Sequence, residues 1–156
     1  MGAETVSLLA GQSFSVQVDP ADLWSAGALP RWSNADGLSG PRWATGTDDS
    51  LQAAGTPIGR DFGLHTQAGL SAPYGTLVGQ VGNGAYFVVG TSFSGLATQA
   101  GKLKLSCWDS NFGDNSQSIR ARVVSGVPEP QTYAMLLAGM VAVGFVVGRR
   151  RRWRWR

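Results

Sequence analysis

The sequence has little of what catalytic and metal-binding proteins usually carry. Its 156 residues include one cysteine and one histidine, Cys107 and His65. A single cysteine excludes an internal disulfide and a metal site built from several thiolates. Hydrolases pair an acid with a base, or a nucleophile with a histidine, and Asp48, Asp49 and Asp61 stand in no such arrangement. We therefore expect a protein that is not an enzyme.

Basic charge is also scarce outside the C-terminus. The formal net charge is +3, but six of the 13 basic residues are arginines among the last eight residues. Residues 1–148 therefore carry −3, which is +3 less those six charges. A mildly acidic body lacks the positive surface that nucleic acids require. We expect no nucleic-acid partner, although the sequence pI is about 9.5.

Glycine, in contrast, is abundant, with 22 residues that often adjoin Ser, Thr, Asn or Asp. This composition is typical of short strands joined by turns. In QSFSVQVDP, residues 12–20, apolar and polar side chains alternate as in a half-buried strand, and helical periodicity is almost absent. The sequence predicts an all-β body over residues 4–126, arranged as a β-sandwich. The other predicted strands cover residues 4–10, 76–82, 85–90, 101–108 and 118–124.

Residues 21–73 form a long Gly-, Trp- and Asp-rich stretch with little periodicity. Loops of this length are usually functional or disordered, and Trp24, Trp32 and Trp43 argue against disorder. Exposed aromatic rings often stack on the C–H faces of sugars. Trp32, Trp43 and Tyr74 are therefore candidates for sugar contacts, and packing in the core is the alternative.

The strand predicted at residues 101–108 carries the cysteine. Strict alternation places Leu103, Leu105 and Cys107 on one face, and Trp108 with the two lysines on the other. This pattern predicts a buried, structural cysteine.

The longest apolar run lies near the C-terminus. Residues 131–148 carry no charge, and as a helix they would rise roughly 27 Å, close to the ~30 Å of a hydrocarbon core. The run is apolar on all sides, which predicts a transmembrane helix rather than a core helix. The tail of residues 149–156 follows, and its arginine excess predicts the cytoplasmic flank. The arginines next to the helix are Arg149, Arg150, Arg151 and Arg152.

Directly before this run stand Val127, Pro128, Glu129 and Pro130. The two prolines fix φ and hold one carboxylate on a rigid, extended segment. With the apolar run and the arginines in this order, residues 127–152 resemble the PEP-CTERM sorting signals of Gram-negative bacteria. The resemblance implies recognition by exosortase, a membrane-embedded cysteine transpeptidase-like enzyme. It also implies anchoring in the inner membrane, then sorting to the cell surface or extracellular matrix. A plain single-pass anchor is the alternative.

A polar loop, WDSNFGDNS, joins two predicted strands and holds Asp109, Asn111, Asp114 and Asn115. Carboxylate and amide oxygens are ligands that Ca²⁺ prefers, and no His or Cys cluster offers a transition-metal alternative. An ordinary Asx-rich turn uses the same residues. Composition therefore leaves a calcium site and a turn both open.

Residues 75–124, including GTLVGQVG and GKLKLSCWDSNFGDNSQSIRARV, resemble calcium-dependent galactose-binding lectin domains. The resemblance implies a jelly-roll-like β-sandwich in which Ca²⁺ is completed by sugar hydroxyls. It places Asp109 on the family's Asp ligand, Asp114 and Asn115 on its paired Asn ligands, and Asn111 on a backbone-carbonyl ligand.

The same resemblance implies a further carbonyl ligand near Asn34 or Ala35, and sugar contacts from His65 and Gln67. We therefore expect an exported, non-catalytic protein whose body binds a galactose-like sugar or exopolysaccharide through Ca²⁺. The alternative is a structural surface or matrix protein without a small ligand. Export normally also needs a signal peptide, and MGAETVSLLAG has neither a basic n-region nor an apolar h-region. We expect it to be a mature start, an edited start or a misassigned initiation codon.

Overall fold

The computed structural model describes residues 2–126, and these form an all-β fold without a helix, as predicted. Within this range no helix is long and apolar enough to cross a membrane. The predicted transmembrane helix at 131–148, the Pro-Glu-Pro motif and the arginine tail lie outside the described residues. The strands are β1 Ala3–Leu8, β2 Ser13–Val18, β3 Trp24–Ser25, β4 Trp32–Ser33, β5 Arg42–Trp43, β6 Pro57–Gly59, β7 Leu64–Gln67, β8 Leu70–Pro73, β9 Thr76–Val81, β10 Phe87–Val88, β11 Ser92–Leu96, β12 Gly101–Trp108 and β13 Ala121–Ser125.

Two antiparallel sheets form the centre of the fold. One has the strand order β1-β12-β9-β10, and the other has the order β11-β2-β13. Phe14 and Val16 of β2 share one buried cluster with Leu103 and Leu105 of β12. Because both sheets contribute to this cluster, they pack face to face around a common core. The jelly-roll connectivity stays a prediction.

The alternation predicted for β2 is confirmed by its burial. Phe14, Val16 and Val18 are buried, whereas Ser13 and Gln17 are exposed. Each buried apolar side chain of this size stabilises the fold by about 1.5–3 kcal/mol relative to an exposed one. The period-two pattern therefore both identifies the strand and fixes which face meets the core.

The alternation predicted for β12 is confirmed for its leucines and for the opposite face, and Cys107 is less buried than predicted. Leu103 and Leu105 are buried, but Cys107 is only half-buried. Trp108 is buried on the opposite face, where it packs with Ala72 and Val78. Its indole nitrogen donates to the carbonyl oxygen of His65 at 2.8 Å. The β7–β8 hairpin thus contacts a face that alternation alone assigns to solvent.

The stretch predicted as a long loop contains six short strands. They pair as three two-stranded ribbons, β3-β4, β5-β6 and β7-β8. Three of these strands have only two residues, which is too short for a periodic pattern to register. Strand β11 is a further strand that is not predicted from the sequence, although it pairs with β2 from Ser13 to Gln17.

The compact unit formed by this part of the chain ends at Gly126. Beyond β13, the backbone nitrogen of Gly126 donates to the carbonyl oxygen of Ser13 at 2.8 Å. The side-chain Nε2 of Gln12 donates to the Gly126 carbonyl oxygen at 2.7 Å. The last described residue is therefore still hydrogen-bonded to the start of β2.

Candidate functional site

The candidate calcium loop, residues 109–116, is anchored at both ends. Before it, the carbonyl oxygen of Trp108 accepts a hydrogen bond from Gly75 N at 2.9 Å. After it, Ser116 and Ser25 exchange two backbone hydrogen bonds of 2.9 and 3.1 Å. These long-range bonds fix where the loop leaves and rejoins the fold.

Inside the loop, two side chains order the backbone. Asp109 is 4% exposed, and its Oδ1 accepts a hydrogen bond from Ser110 N at 2.7 Å. Asn111 Oδ1 accepts from Gly113 N at 3.2 Å, which is the contact of an Asx turn. The turn leaves the backbone carbonyl of Asn111 available to the interior of the loop.

Asn115 brings the loop together. Its side-chain amide nitrogen donates to Asp109 Oδ2 at 2.7 Å and to the carbonyl oxygen of Asn111 at 3.3 Å. The loop is therefore closed by a hydrogen-bonded network, as in an ordinary Asx-rich turn.

Two oxygens, Asp109 Oδ2 and the carbonyl oxygen of Asn111, converge on the side chain of Asn115. The fold thus gathers three of the four residues that the sequence predicts as ligands, Asp109, Asn111 and Asn115.

The fourth predicted ligand is placed differently. Asp114 Oδ2 lies 3.7 Å from Arg31 Nη1, and the Arg31 guanidinium stacks over the Phe62 ring. Asp109, Asn111 and Asp114 line one cavity of about 200 Å³. Asp114 therefore faces the same cavity but is paired with a cation of the protein. Within residues 2–126, no group of three or more His, Cys, Asp or Glu side chains is arranged for a metal.

The carbonyl ligand expected near Asn34 or Ala35 is not at this loop. The Asn34 carbonyl accepts from Gly37 N at 3.1 Å, and the Ala35 carbonyl accepts from Leu77 N at 2.8 Å. Neither residue lines the cavity. Their carbonyls serve the turn and its pairing with β9.

His65 and Gln67 lie together on β7. His65 Nε2 is 3.4 Å from Gln67 Oε1. The His65 ring centroid lies 5.4 Å from that of Trp108 and 5.2 Å from that of Tyr74. Tyr74 in turn lines the Asp109 cavity. The two predicted sugar contacts therefore belong to an aromatic row that reaches the cavity through Tyr74.

Cys107 precedes the loop and has an unreactive thiol. Burial, and to a smaller extent the nearby negative charge of Asp109, raise the pKa of the Cys107 thiol to about 12. The thiolate, which is the nucleophilic and metal-binding form, is therefore scarce at neutral pH.

Residues 126–152 match the PEP-CTERM protein-sorting motif. The match confirms the sorting signal that the order of Pro-Glu-Pro, apolar run and arginines predicts. Such signals are recognised by exosortase, and the motif implies an exported protein that is sorted to the surface. No curated protein matches the chain. The lectin-like character of the body stays a prediction.

Proposed function

We propose that this protein is a non-catalytic component of the cell surface or extracellular matrix, delivered there by exosortase. The match of residues 126–152 to the sorting motif carries the proposal. Before processing, residues 131–148 hold the chain in the inner membrane and Arg149–Arg152 lie on its cytoplasmic side. The body is then released or transferred outside.

The position of the motif supports processing close to the folded body. Gly126 is still hydrogen-bonded to Gln12 and Ser13, and Val127 and the Pro-Glu-Pro segment follow without a spacer. The sequence predicts an extended segment here, because each proline fixes its own φ and disfavours a helix at the residue before it. Glu129 supplies the single carboxylate that an enzyme can read there.

Replacing Glu129 with Ala tests the sorting proposal. The substitution leaves the apolar run and the arginines intact, so a plain anchor would localise unchanged. We expect Glu129→Ala to remain in the inner-membrane fraction at full length, while the native chain is trimmed and moves to the surface. Fractionation and immunoblotting in the native host measure both. Gln131→Ala, just outside Pro-Glu-Pro, is the matched control, and normal trimming of Glu129→Ala would refute the proposal.

A second function, calcium-dependent sugar binding, is supported by the proximity of Asp109, Asn111 and Asn115 within one loop. In this proposal Ca²⁺ occupies the point where they converge, and sugar hydroxyls complete its coordination. His65 and Gln67 are the candidate sugar contacts nearby. Calorimetric titration with galactose should give heat in Ca²⁺ and none in EDTA. Heat in neither condition would favour the structural alternative, a surface protein without a small ligand.

A further inference from the structure

A separate open groove of about 430 Å³ is formed by residues 32–43. Its floor is shaped by Gly37, whose φ is 86°, a region that favours glycine. A side chain at this position would also collide with Thr76 Oγ1. Glycine at this position therefore lets the backbone turn closely against β9 beside the groove. The groove shares Leu38 with the Asp109 cavity and is lined by none of Asp109, Asn111, Asp114 and Asn115.

Two indole rings line this groove. Trp43 is 59% exposed, and Trp32 is half-buried against the small cluster that contains Leu23 and Ile58. The other two tryptophans of the described range behave differently. Trp24 and Trp108 donate their indole N–H groups to backbone carbonyls at 2.9 and 2.8 Å.

An exposed indole adds no core packing, so Trp43 lacks the structural explanation that covers Trp24 and Trp108. Large exposed apolar side chains beside a concave surface are typical of binding sites. Trp43 lies on the short ribbon β5-β6, which places its backbone beside the groove.

The groove also carries a positive charge. Arg42, the residue before Trp43, also lines the groove. The ion pairs among residues 2–126 are Arg31–Asp114 and Lys102–Glu4, and neither includes Arg42. The nearby carboxylate of Asp36 is already engaged, because Thr91 N and Thr91 Oγ1 donate to its two oxygens at 2.7 and 3.2 Å. Arg42 is therefore available to an anion from outside.

We propose that this groove binds an acidic saccharide chain, one whose rings carry carboxylates. The apolar C–H face of a pyranose ring packs on the face of an indole, and a guanidinium forms a planar fork with a carboxylate. An open groove accepts a chain rather than a single enclosed sugar. Single-stranded nucleic acid also combines rings with negative charge, but its sites line the phosphate backbone with several positive charges, and of the described residues Arg42 is the one basic residue that lines this groove.

The test compares two oligosaccharides that differ only at carbon 6. The full chain, in a mild detergent and EDTA, is titrated by calorimetry with a galacturonic acid hexamer and with the neutral galactose hexamer of the same linkage. EDTA removes any contribution of calcium at Asp109, so the result is independent of the proposed calcium site and of sorting. We expect the acidic chain to bind about fivefold more tightly than the neutral one.

Variants assign the binding to the groove. Trp43→Ala should weaken binding of the acidic chain about tenfold, and Trp43→Tyr, which keeps a ring, should restore most of it. Arg42→Gln should lower the affinity for the acidic chain to that for the neutral one. Leu96→Ala removes another exposed side chain, 65% exposed on β11, and should change nothing.

Three results would overturn the proposal. They are equal affinity for the acidic and neutral chains, unchanged binding by Trp43→Ala with native-like thermal unfolding, and tighter binding of an oligothymidylate than of the acidic saccharide. If Trp43→Ala fails to fold, Trp43→Tyr and Arg42→Gln decide the question alone.

Discussion

Asp109 is the one buried carboxylate among residues 2–126. Burying a carboxylate is costly unless donors or a cation compensate its charge. Its Oδ1 has a backbone donor, and its Oδ2 accepts from the side-chain amide nitrogen of Asn115. A bound cation would replace this donor, so cation binding decides whether the loop is a site or a turn.

A metal-dependent melting experiment separates these two states. Ligand that binds the native state alone stabilises it by about 2.7 kcal/mol at a hundredfold excess over Kd. Millimolar Ca²⁺ should therefore raise the Tm of metal-stripped protein by at least about 5 °C. Asp109→Asn should abolish most of this gain, and Mg²⁺ should give much less because it demands a tight octahedron.

Asp61→Asn is the matched control for that experiment. Asp61 Oδ1 caps an Asx turn by accepting from Gly63 N at 2.8 Å, and Asn keeps this contact. The calcium response should therefore survive in Asp61→Asn. A Tm indifferent to Ca²⁺ and EDTA in the native chain would assign residues 109–116 to an ordinary turn.

At the residue scale, the sequence predicts contacts within the loop better than it predicts contacts with residues outside the loop. Asp109, Asn111 and Asn115 are close in the chain, so their composition alone indicates that they meet. Asp114 instead pairs with Arg31, and the Asn34 and Ala35 carbonyls pair with Gly37 and Leu77. The Asp114–Arg31 and Ala35–Leu77 pairings are distant in sequence and leave no local signal, whereas the Asn34–Gly37 bond closes a local turn.

At the scale of the element, the length of a strand decides whether it can be predicted. Strands β2, β9 and β12 have six to eight residues, enough for alternation to be read. The ribbons between β2 and β9 are held by long-range contacts such as Leu23 N to Asp49 Oδ2 at 3.0 Å. Alternation places Trp108 on the correct face of β12, but its burial there depends on the hairpin β7-β8, which was not predicted.

The core strand β12 gives an element-scale prediction. Leu103 is fully buried between the sheets, so Leu103→Ala should destabilise the fold by about 2–5 kcal/mol. Leu96→Ala makes the same change on β11 at an exposed position, where the free energy of unfolding should shift by less than about 0.5 kcal/mol. Thermal unfolding followed by circular dichroism measures both, and equal effects would contradict the two-sheet core.

At the scale of the whole molecule, the folded body and the sorting motif lie in successive parts of the chain. The match to the sorting motif covers residues 126–152, whereas the compact all-β unit ends at Gly126. The hydrophobic core of this unit draws on both sheets. A body with its own core has no need of the signal for folding.

We therefore expect a chain that stops at Gly126 to fold. It keeps all thirteen strands and the hydrogen bonds that join Gly126 to Gln12 and Ser13. Circular dichroism and tryptophan fluorescence should show one cooperative thermal transition in the absence of detergent. A shorter chain that stops at residue 119 lacks β13, which leaves that side of β2 unpaired and should remove the transition. If the chain ending at Gly126 unfolds without cooperativity, the body depends on residues 127–156, and a signal that is removed after export could not serve it.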